Sequence, residues 1–138
     1  MGQIRSVLHL GAGSRLAANR TAALNARWFD AATGEYRADA ETETRATQCA
    51  QGLALARGLV PGGAAEAAAR RALVALARRD GHLTTGMFGL HPALAALSES
   101  GADGHAAALA LVGARGFPGF RYMLDDKGAT TLWEAWFW

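Results

Sequence analysis

Near the C-terminal end, the stretch Trp133-Glu134-Ala135-Trp136 sets one acidic side chain between two indoles. Indole faces stack on the C–H face of a sugar ring, and apolar walls raise a carboxylate's affinity for protons toward the range where it exchanges one with water. Those are the requirements for a base that activates water at an anomeric carbon. The same residues also fit a helix end or turn whose indoles pack inward while Glu134 faces solvent. A second polar group, His82, Thr84, Thr85 and Gly86, lies in a run between helical patterns. A histidine in such a loop either meets a ligand or bonds a backbone carbonyl.

The elements that must position these residues read as helices. Ser14 is placed as an N-cap for a helix over about residues 15–29, with Leu16, Ala23, Leu24, Trp28 and Phe29 on its buried side. Gly34 supplies the left-handed geometry of the turn that ends it. The acidic stretch with Asp39, Glu41 and Glu43 reads as an exposed connection. Helices follow over about 46–57, closed by Gly58 and Pro61, and over about 64–79, where Ala65, Ala69, Leu73, Leu76 and Ala77 recur at three and four residues while Arg70, Arg71, Arg78 and Arg79 take the outside. Pro92 fits the first turn of a helix over about 92–99, and another runs over about 104–114. Tyr122-Met123-Leu124 before Asp125-Asp126-Lys127-Gly128 reads as one side of a short hairpin arm with residues 129–132. Nothing else alternates with period two. The expected fold class is mainly α, built of helical hairpins with short joints and a short β-arm near the C-terminus.

Composition narrows the function classes. The chain has 138 residues, 51% hydrophobic and 19% charged, which is the balance of one packed globular domain. Residues 1–80 hold eleven arginines against seven acids and the remainder three bases against five acids, for a net charge of +2. The arginines are scattered among alanines at helical spacing, so they read as solvated faces and no nucleic acid is expected as partner. Cys49 is the single cysteine and fits a small buried hydrophobe. Neither C-x-x-C nor H-x-x-x-H occurs, so neither a metal site nor a cofactor is expected. The Gly11-Ala12-Gly13-Ser14 run has Leu16 where a phosphate-cradling loop needs glycine. His9, His91 and His105 read as structural, and Phe88, Phe117 and Phe120 as packing. No apolar run spans a bilayer and the N-terminus lacks a secretory core, so no membrane partner and a cytoplasmic location are the default; a start lost from a longer gene would take a signal with it.

The motifs together resemble a known family. His82-Leu83-Thr84-Thr85-Gly86, then Tyr122-Met123, then Gly128-Ala129-Thr130-Thr131-Leu132-Trp133-Glu134-Ala135-Trp136 are similar, in order and spacing, to the closing part of the six-hairpin catalytic domain of bacterial α-L-rhamnosidases. Arg27-Trp28-Phe29-Asp30, Thr33-Gly34-Glu35-Tyr36, Thr47-Gln48 and Gly58-Leu59-Val60-Pro61 extend the resemblance upstream in the same order. It implies part of an (α/α)6 toroid, with residues 1–138 as the C-terminal portion of the domain and an incomplete barrel. It further implies an inverting glycosidase acting on a rhamnose-containing carbohydrate, with Glu134 as general base, Trp133 and Trp136 around it, and His82 and Thr85 among the sugar-binding groups. In the family the general acid lies in an acidic cluster upstream that no segment of this sequence resembles; Asp125, Asp126, Glu99 and the Asp39–Glu43 run read as solvated turn and loop residues. Phe120 stands where the family has Trp, Gly119 where it has a small hydroxyl residue, Arg121 where it has glycine and Ala135 where it has a basic residue. The expectation is a glycosidase fragment that lacks its acid, completed by the missing half of the barrel or by a homo-oligomer. The competing expectation is a non-catalytic helical-hairpin module that binds a protein partner or a sugar.

Overall fold

The computed structural model describes residues 11–37 and 46–136. His9, the acidic connection with Asp39, Glu41 and Glu43, and Phe137 lie outside the described residues. Within them the chain forms α1 (Gly11–Trp28), a minimal antiparallel ladder of β1 (Phe29–Asp30) and β2 (Glu35–Tyr36), α2 (Gln48–Ala56), α3 (Ala64–Asp80), α4 (Met87–Ser98), α5 (Gly101–Gly113) and a short π-helical turn at Tyr122–Asp126.

Local chemistry sets most of these boundaries. Thr47 caps α2 by accepting the Ala50 N–H at 3.1 Å. Along α3 the apolar Ala69, Leu73, Leu76 and Ala77 are buried while Arg71, Arg78 and Arg79 are exposed, and Gly81 in the left-handed region closes the helix. Between β1 and β2, Asp30 Oδ1 accepts the Ala32 N–H at 2.9 Å, and Gly34 at φ +77° turns the chain against α3. A Cβ at Gly34 would stand 2.6 Å from the Ala68 carbonyl carbon, so both the angle and the space require glycine.

Contact pairs give the helix directions. A Cβ at Gly89 would meet Cys49 and one at Gly52 would meet Ala93, so α2 and α4 run parallel and nearly touch through their backbones. Gln51 reaches Ala69 while Gln48 reaches Asp80, so α3 runs antiparallel to α2. Two parallel helices alternating with an antiparallel one form a stack of helical hairpins. Leu73, Leu83, Leu97, Leu111 and Met123 are the fully buried large apolar side chains of the core between them. No helix among the described residues is long and apolar enough to cross a membrane.

The mainly helical architecture follows the sequence reading, and several details correct it. The C-terminal β-arm is absent: residues 122–126 wind into the π-helical turn, with the Lys127 N–H bonding the Tyr122 carbonyl at 3.1 Å and Arg121 paired with Asp125 one helical turn on. That pairing and the burial of Met123 suit a helix rather than a strand. Helix α4 begins at Met87, five residues earlier than expected, which puts Pro92 in its interior. The carbonyl Pro92 leaves without an N–H belongs to Phe88, which is 96% exposed and therefore does not pack inside the chain as expected. Phe117 is likewise exposed, its ring edge against Tyr122 at 5.2 Å. Helix α1 starts at Gly11, so Ser14 is inside it, and Leu16 and Ala23 are exposed. The inward side of α1 is instead Thr21, Leu24, Asn25 and Trp28, where Asn25 donates to the Leu59 carbonyl at 2.8 Å and accepts the Tyr36 hydroxyl at 2.6 Å. The β1–β2 ladder is too short to show as alternation.

Candidate functional site

The loop between α3 and α4, residues 81–86, carries His82, Thr84 and Thr85, and a buried amide holds it. Gln48, the first residue of α2, is fully buried. Its Nε2 donates to Asp80 Oδ2 and to the His82 carbonyl, both at 2.9 Å, and its Oε1 accepts the Thr84 N–H at 3.2 Å. A carboxamide offers two donors and an acceptor in one plane, and here each is used. Asp80 is also engaged by Arg79 at 2.8 Å and by the Thr84 hydroxyl at 3.3 Å. Because α2 and α4 are parallel, the loop sits where both helices begin and their N-terminal N–H groups gather.

The C-terminal segment is tied to this loop. Trp136 Nε1 donates to the Thr85 carbonyl at 2.6 Å across 51 residues of sequence. Phe120 packs edge-on against the Trp136 indole, with centroids 5.6 Å apart at 76°. Trp136 is 6% exposed and Thr85 2%. Trp133 is half-buried against the core cluster. Glu134 is exposed, and two Cα steps of at most about 7 Å separate it from Trp136, so it lies at the same end of the hairpin stack as the 81–86 loop.

The residues expected to act together are thus partly assembled. Thr85 and Trp136 are in contact, and Glu134 is carried to their end of the molecule. The Trp136 indole is committed to Thr85 and Phe120 and offers no open face in this chain. His82 is half-buried, with Nδ1 2.7 Å from the Asp80 carbonyl oxygen. A carbonyl only accepts, so Nδ1 is the donor in this contact, and Nε2 is the ring nitrogen left to meet a ligand hydroxyl. Of the acidic alternatives, Asp125 is held by Arg115 and Arg121, Glu99 stands 3.9 Å from Arg70, and Asp126 is exposed. His91 and His105 are exposed on α4 and α5, and Cys49 is half-buried against Gly89. Among the described residues no three of His, Cys, Asp and Glu converge in the manner of metal ligands. A cleft of about 840 Å³ opens along α3 at Arg70, Arg71, Arg78 and Arg79, and another of about 600 Å³ at Arg57, Glu66, Arg70 and His91; neither includes Glu134 or His82.

Sequence reasoning missed Gln48 and Asp80 as organisers of the loop. The signal was present: Gln48, Gln51 and Leu55 recur at three and four residues on one face of α2 and all are buried. A polar side chain on a buried stripe must be hydrogen-bonded, and a glutamine pair there marks backbone that needs partners.

Comparison with known proteins bears on the family of the chain. Residues 14–137 match the bacterial α-L-rhamnosidase six-hairpin glycosidase domain. An α-L-rhamnosidase of Streptomyces avermitilis is 39% identical over 90 residues, which make up 65% of this chain and 8% of that protein. No solved structure matches. The two segments that Trp136 and Thr85 join fall inside the matched region, and this chain belongs to the bacterial α-L-rhamnosidase six-hairpin glycosidase family.

Proposed function

We propose that the chain supplies the general-base side of an inverting α-L-rhamnosidase centre, with Glu134 taking a proton from the water that attacks the anomeric carbon. The Trp136 to Thr85 bond at 2.6 Å carries this reading, because it draws the Trp133–Trp136 segment onto the loop of His82 and Thr85. On this reading His82 Nε2 and the exposed polar surface of the loop meet the sugar hydroxyls, Trp133 lines the base, and Trp136 and Thr85 hold the base and the loop together.

Inversion needs a second carboxyl group about 6.5–9.5 Å from the base, leaving room for the water between. Asp80, Asp125 and Glu99 are engaged by arginine in this chain, so the reading assigns the acid to another part of a six-hairpin domain. The chain alone then hydrolyses no aryl α-L-rhamnoside at a measurable rate. The test grafts residues 14–137 in place of the corresponding segment of the Streptomyces avermitilis α-L-rhamnosidase. The chimaera is expected to release rhamnose with inverted anomeric configuration, observed by NMR, and Glu134→Gln to lower kcat by about 10²–10⁴-fold. Full turnover by the Glu134→Gln chimaera, or appreciable turnover by the 138-residue chain alone, overturns the assignment.

A further inference from the structure

We infer that Gln48 is a positioning residue for Glu134, acting through the 81–86 loop and Trp136; the inference rests on the proposed role of Glu134 as base. The contacts form an unbroken series. Gln48 clamps the loop from both sides of the fully buried Leu83, accepting the Thr84 N–H on one side and donating to the His82 carbonyl on the other. Thr85 follows directly, nearly inaccessible, and its carbonyl takes the Trp136 Nε1–H. Phe120 against the indole restrains its rotation. Two residues back along the chain is Glu134.

The geometry gives Gln48 a role that another buried residue would not fill. The loop crosses from α3 to α4 without a strand or helix of its own, so the His82 carbonyl and the Thr84 N–H depend on a side chain for partners. Leucine or methionine at position 48 would fill the space and leave both groups, and Asp80 Oδ2, without that partner. The loop would then settle in whichever arrangement reaches water, and the Thr85 carbonyl would no longer be held where the Trp136 indole meets it. A catalytic carboxylate displaced by even about 1 Å loses rate out of proportion to any loss of binding. The amide of Gln48 is therefore coupled to kcat through a hydrogen-bonded path, although it touches no substrate.

The test compares the parent chain with Gln48→Met by ¹H–¹⁵N NMR, following the Trp136 indole N–H, assigned with Trp136→Phe, and the Trp28 indole N–H as an internal control. In Gln48→Met the Trp136 signal is expected to shift and its hydrogen exchange to quicken at least about tenfold, while the Trp28 signal stays in place. Gln48→Glu keeps the acceptor for Thr84 and loses the donations to Asp80 and to the His82 carbonyl; it should move the same signal and serves if Gln48→Met does not fold. An unmoved, equally protected Trp136 indole in a folded variant overturns the inference. In the rhamnosidase chimaera, Gln48→Met should lower kcat by about 10–100-fold with KM little changed; an equal rise in KM with kcat intact also overturns it. A chimaera whose turnover survives Glu134→Gln would overturn the catalytic assignment of Glu134, and the indole measurement would still report on the path from Gln48 to Trp136.

Discussion

Between α2 and α4 the helices meet backbone to backbone at Gly52 and Ala93 and pack Gly89 against the Cys49 side chain, with the buried Gln48 and Gln51 of α2 bonding toward α3 and the 81–86 loop; along the outer face of α3 the contacts are arginine ion pairs to Glu66, Glu99, Asp103 and Asp80. The seam uses groups that must fit and must be satisfied, whereas the arginine face uses long side chains that water can replace. The difference teaches where this chain tolerates change: the end that carries the 81–86 loop and Trp136 is mounted beside the seam, and mutations should grow milder with distance from it.

The seam breaks most severely at Gly52. A Cβ there would lie 2.5 Å from Ala93 Cα and 2.8 Å from Ala93 N, and backbone cannot swing aside as a side chain can. Gly52→Val should destabilise the chain by about 3 kcal/mol or more in urea unfolding. A cost under about 1 kcal/mol would mean that α2 and α4 do not touch at this point. Next comes Gln51, one turn from Gln48. Its Nε2 donates to the Gly34 carbonyl at 2.8 Å and the Ala69 carbonyl at 2.9 Å, and its Oε1 accepts the Tyr36 N–H at 2.8 Å. Gln51→Leu leaves the Tyr36 N–H and the Gly34 carbonyl buried without partners and should cost about 2 kcal/mol. A neutral result would show that water reaches the β1–β2 turn.

Helix α3 is legible because a single physical rule governs most of it: apolar residues at three and four spacing face in while Arg71, Arg78 and Arg79 face out, and its start at Ala64 agrees with the sequence reading; Arg70, expected outside, is half-buried between Glu66 and Glu99. Helix α4 was misread because Pro92 is a common first-turn residue, and nothing local showed that the exposed Phe88 could carry the freed carbonyl. The C-terminal turn was misread because Tyr122, Met123 and Leu124 are a strand-like triplet, while the Arg121–Asp125 pair that favours a helix was overlooked. At the candidate site, His82, Thr85, Glu134 and Trp136 stand out in the sequence through the motifs that carry the family resemblance, and the structure joins Thr85 to Trp136. The organisation around them is legible only in part: the spacing of Gln48, Gln51 and Leu55 marks Gln48 as buried, but its partners lie on α3 and on the loop beyond it, and periodicity within α2 does not identify them.

Tyr36, whose N–H bonds the Gln51 side chain, gives a finer test of the burial behind α2. Its ring packs against Phe29 at 5.0 Å, its hydroxyl donates to Asn25, and burial raises its pKa above the usual value of 10.0. The folded chain therefore holds the phenolic proton more tightly than the unfolded chain does. Stability on this account is complete below about pH 10 and falls as pH climbs through that value toward the folded pKa. Tyr36→Phe should remove that part of the alkaline loss while costing about 1 kcal/mol at neutral pH for the Asn25 bond. Urea unfolding of both chains at pH 7 and pH 11 checks it, and an unchanged alkaline slope in the variant would place the phenol in contact with water.

The smallest effect belongs to the arginine face. Arg78 Nη2 and Asp103 Oδ1 are 2.7 Å apart, yet their side chains are 58% and 80% exposed. Water solvates both charges nearly as well apart as together, and ordering two long side chains offsets most of the attraction. Arg78→Ala should change the unfolding free energy by about 0.3 kcal/mol or less, and that difference should vanish in 1 M salt, where screening shortens to about 3 Å. A loss comparable to that of Gln51→Leu would make the α3 face as demanding as the seam. Buried hydrogen bonds rather than exposed charges would then no longer explain why the 81–86 loop and Trp136 are held where they are.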